Sequence, residues 1–375
     1  MNIRFFLAKS LRIPRRLHMI YYICFNRFKF WLNDVRFGSN MRVYNKIYLN
    51  KARSSKITIG DNFVFTSGEA FNPLCRNICG CMFTVYPSSR IIIGDNSGIS
   101  SACLWASTSI TIGNYVKAKT PEEAYELNQA RSSRIMGGMM WMRLSNARVK
   151  TLIDISGLGL DQIEETEDEI RIGAMCTLRQ IEQSEAVKKL CGDGIEEAVR
   201  HIVGVQFRNQ ATVGGSIYGR FGFSDVLTAF LALDTYVELY DGGRICLAEF
   251  AKKKPDNDLL LFIVVKKKKR QFRYDSIRQT KTDFPVIACS VSREKANGQE
   301  TWYFAVGARP MKADLIEKKW SVAKDASLEK IEEYAALAAA EFKYGTNMRG
   351  SAGYRQHLAK VLIKREIMSI LSEEI

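Results

Sequence analysis

Two short stretches have the residue types and spacing to hold an anion through the backbone. Met136-Gly137-Gly138-Met139-Met140 and Gln210-Ala211-Thr212-Val213-Gly214-Gly215-Ser216-Ile217 each end an apolar run on a glycine pair and lead into a segment of helical character. Without a Cβ, the N–H groups of such a pair can approach a pyrophosphate closely. Tight turns use the same residues, and either pair alone reads equally as one. The second pair is set apart by its surroundings, with Phe207-Arg208-Asn209 before it and Ser224-Asp225 and an apolar run to Leu233 after it.

That extended pattern resembles the FAD-binding subunit of the xanthine dehydrogenase and carbon monoxide dehydrogenase family of molybdenum hydroxylases. In that family an Arg-Asn-x-x-Thr-[Ile/Val]-Gly-Gly-Asn segment is followed, nine residues after its last position, by an Asp and an apolar helix. Ser216 stands where the family usually has Asn, and Asp225 falls at the family spacing. Pro121-Glu122-Glu123-Ala124-Tyr125-Glu126-Leu127, Gly307-Ala308-Arg309-Pro310 and Gly350-Ser351-Ala352-Gly353-Tyr354-Arg355 extend the likeness from about Tyr115 to the C-terminus.

The resemblance implies an α+β chain, with a two-subdomain FAD-binding domain over 118–284 and an antiparallel sheet with helices over 285–375. It implies an oxidoreductase with FAD as cofactor. The pyrophosphate would be cradled by Met136, Gly137, Gly138, Met139 and Met140 and by Thr212, Val213, Gly214, Gly215 and Ser216, with Asp225 accepting hydrogen bonds from the ADP half. Val203 and Thr280-Lys281-Thr282-Asp283 are further candidates near the flavin. The implied partners are a molybdopterin-containing large subunit, where substrate is hydroxylated, and a small 2Fe-2S subunit, with NAD+ or another acceptor taking the electrons. No residue of this chain is expected to serve as catalytic acid, base or nucleophile.

Ahead of this part the pattern differs. Ile57-Thr58-Ile59-Gly60-Asp61-Asn62, Ile91-Ile92-Ile93-Gly94-Asp95-Asn96 and Ile110-Thr111-Ile112-Gly113-Asn114-Tyr115 recur with the aliphatic-then-Gly-Asx rhythm of a parallel β-helix, each Ile pointing inward and each Gly-Asx turning a corner. Residues 38–117 resemble the hexapeptide-repeat acyltransferases, which implies a short left-handed β-helix and, as the alternative function, an O-acyltransferase. An alcohol acceptor needs a general base, and the histidines His18, His201 and His357 all lie outside the repeat. The segment therefore reads as a truncated, inactive piece of about three coils whose last coil is left open. Cys75, Cys79 and Cys81 match neither zinc nor iron–sulfur spacing.

The formal net charge of +15 is unevenly placed, with 16 Lys+Arg against 4 Asp+Glu over 1–117 and 39 against 36 over the remainder. The runs Lys252–Lys254 and Lys266–Arg270 read as solvated hairpin flanks, so no nucleic-acid partner is expected. Residues 1–37 are basic and aromatic. They read as a helix capping the next domain, with contact to an anionic membrane surface as the alternative. Nine scattered cysteines and no apolar run of transmembrane length point to the cytoplasm.

Overall fold

The computed structural model describes residues 13–68, 80–145, 148–296 and 298–373. They fall into two compact units. The first comprises residues up to Lys117 with Ala130–Arg134 and Arg148–Ile153; the second comprises Ala118–Gln129, Ile135–Ala147 and Asp154 onward.

In the first unit the aliphatic repeats form three parallel ladders, so the chain coils around a core of Met41, Ile57, Ile59, Phe63, Phe65, Ile91 and Ile93. Ile57 pairs with Ile91 and Ile91 with Ile110 in strict register, which is what an inward aliphatic at a fixed phase produces. The corners differ from the sequence expectation in one respect. Asn40, Asn62 and Asn96, with φ of 52°, 56° and 54°, are the left-handed residues, and not the glycines before them. Asn tolerates this region because its short amide can bond locally. Here the amides stack: Asn40 Nδ2 donates to Asn62 Oδ1 and Asn62 Nδ2 to Asn96 Oδ1, both at 2.9 Å. Gly60 is needed for space, since a Cβ there would lie 2.3 Å from Asp95 Oδ1.

The helix Ile13–Leu32 caps the opening coil, as its composition led us to expect. Asn26 Nδ2 donates to Val43 O (3.0 Å) and Asn45 O (2.9 Å), and Lys29 Nζ donates to Ile47 O at 2.7 Å. The last coil is covered at one corner only: among the described residues its strands Gly98–Ser100, Cys103–Ala106 and Ser109–Ile112 each stand at the edge of their sheet, as an open coil implies. Asn114 N donates to Lys150 O at 2.7 Å, and a Cβ on Gly113 would meet the backbone of Val149 and Lys150 within 2.6 Å. The strand Asn114–Lys117 belongs to a three-stranded sheet, edge to edge Asn114–Lys117, Thr151–Asp154 and Ser133–Met136. Cys81 and Cys103 occupy one register in neighbouring coils, Cα–Cα 4.7 Å, and are joined as a disulfide. Their separation of 22 residues is one turn of the coil, a pairing that linear spacing does not reveal. Cys75 and Cys79 lie outside the described residues.

The second unit opens on the helix Pro121–Asn128. Thr120 accepts from Glu123 N at 3.1 Å, while the Glu123 carboxylate reaches back one residue further than a capping box would, to Lys119 N at 2.8 Å. A five-stranded sheet includes Thr235–Leu239, Gly243–Cys246 and Leu260–Lys266; short helices over 178–231 bury Ile195, Val199, Val213, Ile217, Leu227 and Phe230 with it. A four-stranded antiparallel sheet follows in the order Arg270–Arg278, Pro285–Ala296, Gln299–Gly307 and Asp314–Lys318, beginning ahead of residue 285. Leu328–Ala340 and Ala352–Ser372 pack on it through Ile331, Ala335, Leu362 and Ile367. Arg355 pins the loop before the last helix by donating to Val286 O (2.9 Å) and Gly345 O (2.8 Å), and Arg309 donates to Lys343 O at 2.8 Å.

Candidate functional site

The strand Ser133–Met136 delivers the first glycine pair, and the loop after Arg208 delivers the second. They meet in the second unit. A Cβ on Gly138 would lie 2.0 Å from Gln210 O, and one on Gly137 would lie 3.0 Å from Thr212 Oγ1, so only glycine lets the two segments touch. Above them is a cavity of about 450 Å³. Of the sequence candidates, Gly137, Gly138, Met139, Met140, Val203, Thr212, Gly215, Ser216, Asp225, Thr282 and Asp283 line it; Met136, Val213, Gly214, Thr280 and Lys281 do not.

The two loops differ in what they offer. Among the described residues no acceptor engages the N–H of Gly137, Gly138 or Met139. Met139 is held at φ 58°, turning the backbone as glycine would. In the second loop the donors are taken. Val213 N bonds Cys176 O (2.8 Å), Gly214 N bonds Ala174 O (2.9 Å), Gly215 N bonds Thr212 Oγ1 (3.1 Å) and Ser216 N bonds Thr212 O (3.1 Å). The equal roles expected of the two loops are thereby revised. Gly214 in particular answers to packing, because its Cβ would lie 2.5 Å from Ala174 O, inside the protein. Gly215 is the exposed member of the pair and faces the cavity.

Asp225 begins the helix Asp225–Leu231, capped by Ser224 Oγ accepting from Leu227 N at 3.1 Å. Its Oδ1 accepts from Arg278 Nη2 at 2.6 Å and from the Tyr274 hydroxyl, both from the strand Arg270–Arg278. Burial pushes the Asp225 carboxyl up, opposed by the Arg278 guanidinium, and burial beside Asp225 pushes the Tyr274 phenol up as well. Both hydrogen bonds land on Oδ1, leaving Oδ2 outside them.

Val203, a β-branched residue at φ 50°, lines the cavity half exposed. Left-handed backbone at such a residue costs on the order of 1–3 kcal/mol and concentrates at functional positions. On another wall, four aromatics that the sequence reading passed over converge. Trp141 lies with its ring centroid 4.9 Å from Phe223 and 5.6 Å from both Phe221 and Phe284, and Phe221 stacks on Phe223 at 5.3 Å. Their signal was a Phe-x-Phe within the glycine-rich stretch Gly219–Phe223 and a Trp directly after Met140. Tyr274 and Arg278 were also missed; they sit four residues apart on one strand face. The lining thus combines vacant N–H donors, a buried carboxylate and an apolar aromatic wall, the components that a dinucleotide, with its pyrophosphate and flat ring systems, requires.

The family described as FAD binding domain in molybdopterin dehydrogenase matches residues 108–265, and the CO dehydrogenase flavoprotein C-terminal domain matches 273–370. The nicotine 6-hydroxylase medium subunit of Paenarthrobacter nicotinovorans is 26% identical over 273 residues, 68% of this chain and 95% of that protein. The structure of quinoline 2-oxidoreductase from Pseudomonas putida 86 aligns with a TM-score of 0.63 at 17% identity, covering 69% of this chain and 97% of that one. Carbon monoxide dehydrogenase from Hydrogenophaga pseudoflava aligns at 0.59 and 21% identity, with 69% and 97% covered. Residues 108–370 therefore belong to the FAD-binding medium subunits of the carbon monoxide dehydrogenase and xanthine dehydrogenase family of molybdenum hydroxylases, oxidoreductases in which this domain takes FAD as its cofactor.

Proposed function

We propose that this chain is the electron-transfer subunit of a molybdenum hydroxylase, accepting electrons from a 2Fe-2S partner that serves a molybdopterin-containing large subunit and passing them to NAD+ or another acceptor. FAD supplies the electron chemistry when bound. The chain's own residues hold and orient it. The free N–H groups of Gly137, Gly138 and Met139 would hold the phosphates, the absence of a side chain at Gly215 would leave them room, and Asp225, fixed by Tyr274 and Arg278, would accept from the ADP half. The observation carrying this reading is the meeting of both glycine loops and Asp225 at one cavity.

The relatives' printed names support the assignment of partners: one is a medium subunit by name, and another comes from a carbon monoxide dehydrogenase described as lacking the Mo-pyranopterin moiety of its molybdenum cofactor. We read residues 38–117 as a left-handed coil of the acyltransferase type without acyl-transfer activity, and we place the protein in the cytoplasm. Among the described residues no helix is long and apolar enough to cross a membrane.

Gly215→Val tests the site where Gly214→Val does not. A Cβ at Gly215, on the cavity wall, would meet only the Thr212 hydroxyl, at 3.0 Å, whereas one at Gly214 strikes the backbone of Ala174 and destabilises the protein whatever the ligand. Gly215→Val is expected to keep its far-ultraviolet spectrum and lose at least about tenfold in FAD affinity, the ~1.4 kcal/mol that one misplaced contact costs. Undiminished FAD binding by a folded Gly215→Val protein would remove this loop from the site.

A further inference from the structure

The helix Ile13–Leu32 uses only one of its faces to cap the coil. On the inner face Phe30 is fully buried, Asn26 and Lys29 make the bonds already described, and Arg27 Nε donates to Met41 O at 2.9 Å. On the outer face Leu17, Ile20, Tyr21, Phe28, Trp31 and Leu32 are each between 58% and 67% exposed. Phe25 lies among them, its ring stacked on Tyr21 at 5.8 Å. At ~100° per residue these positions fall within an arc of about 140°, a continuous apolar stripe along the whole helix. Scattered surface apolar residues need no explanation; a stripe of this length does.

The charge of the same stretch says what covers it. Residues 1–33 carry Arg4, Lys9, Arg12, Arg15, Arg16, Arg27 and Lys29 and no Asp or Glu. On the wheel Arg16 and Arg27 flank one edge of the stripe and Lys29 the other. We propose that this helix docks flat on an anionic phospholipid surface. Leu17, Ile20, Phe28 and Leu32 enter the boundary between headgroups and acyl chains, Tyr21 and Trp31 keep their polar atoms at headgroup depth, and the exposed Arg16, which makes none of the capping bonds, faces lipid phosphates. Spanning is ruled out, because no helix among the described residues is long and apolar enough and the inner face is spent on the coil. A second copy of this chain is the competing occupant. Pairing two such faces would bring together two stretches of one sign with no acid to offset them, whereas an anionic bilayer neutralises both.

The test is co-sedimentation of the full-length protein with vesicles of phosphatidylcholine containing roughly 30% phosphatidylserine, against phosphatidylcholine alone. Phe28→Glu/Trp31→Glu and, independently, Leu17→Gln/Ile20→Gln alter exposed positions and leave the capping bonds in place. Wild type is expected to bind the anionic vesicles at least about tenfold more tightly than either variant, and less tightly as salt rises. Absence of wild-type binding to the anionic vesicles would overturn the proposal. So would equal binding by variants with wild-type circular dichroism. So would a lipid-free oligomer in sedimentation velocity that both variants dissolve, since a second copy would then cover the stripe.

Discussion

Glu366 lies on the last helix with its side chain buried and neither carboxylate oxygen hydrogen-bonded among the described residues. Burial pushes its carboxyl well above the ordinary range; the nearby Asp275 charge adds to this and Arg273 opposes it. A carboxyl raised on folding contributes stability that is complete below its unfolded value, about 4.3, and that is lost as pH rises toward the folded value, by up to ~1.4 kcal/mol per unit. The thermal midpoint of the second unit is therefore expected to fall between pH 5 and pH 8. Glu366→Gln, which keeps the shape and cannot ionise, should flatten that slope and melt higher than the parent at pH 8. A parent profile that rises over this interval, or a variant with the parent's slope, contradicts the assignment. Asp225 presents the opposite design, a buried carboxylate with its cation in place. Its position was legible from spacing to the glycine loop. Its partners Tyr274 and Arg278 were not, because a strand some fifty residues away delivers them. For the same reason the sequence could not distinguish Gly214 from Gly215, since Ala174 decides between them.

The elements were read from periodicity, and periodicity served where one repeat dictates one geometry. The Ile-x-Ile-Gly-Asx-Asn rhythm announced the coil, its register and its corners. What it could not assign was which corner residue turns left-handed, because Gly and Asn both tolerate that region. The Asn ladder makes the distinction testable. Asn62→Ala removes two exposed 2.9 Å amide bonds and places a Cβ-bearing residue without a local acceptor at φ 56°, whereas Asn62→Gly removes only the bonds. Chemical unfolding of the first unit should show Asn62→Ala destabilised by about 2 kcal/mol and Asn62→Gly by about half as much. Equal losses would mean that the backbone term is negligible at these corners. The aromatic wall of Trp141, Phe221, Phe223 and Phe284 escaped notice at this scale because aromatics in a glycine-rich stretch look like ordinary core residues. Only the cavity they border shows otherwise.

At the scale of the whole chain, the pattern changes once, at Tyr115-Val116-Lys117, whereas the two compact units interleave, with Ala130–Arg134 and Arg148–Ile153 belonging to the first. The pairing of Asn114–Lys117 with Thr151–Asp154, beside the strand that delivers the first glycine pair, sets how far an N-terminal deletion can reach. A fragment of residues 108–375 keeps this edge strand and should bind FAD; a fragment of 118–375 loses it and should bind FAD weakly or precipitate. Equal FAD binding by the two would show the strand to be irrelevant to the site. The central claim, that the cavity lined by the two glycine loops is a flavin site, is met most directly by counting FAD released on denaturing the full-length protein after reconstitution and gel filtration. The account predicts one FAD per chain for the wild type and a small fraction of that for Asp225→Ala, judged folded by circular dichroism. A wild-type chain that elutes without FAD, or an Asp225→Ala chain that retains a full equivalent, would contradict it.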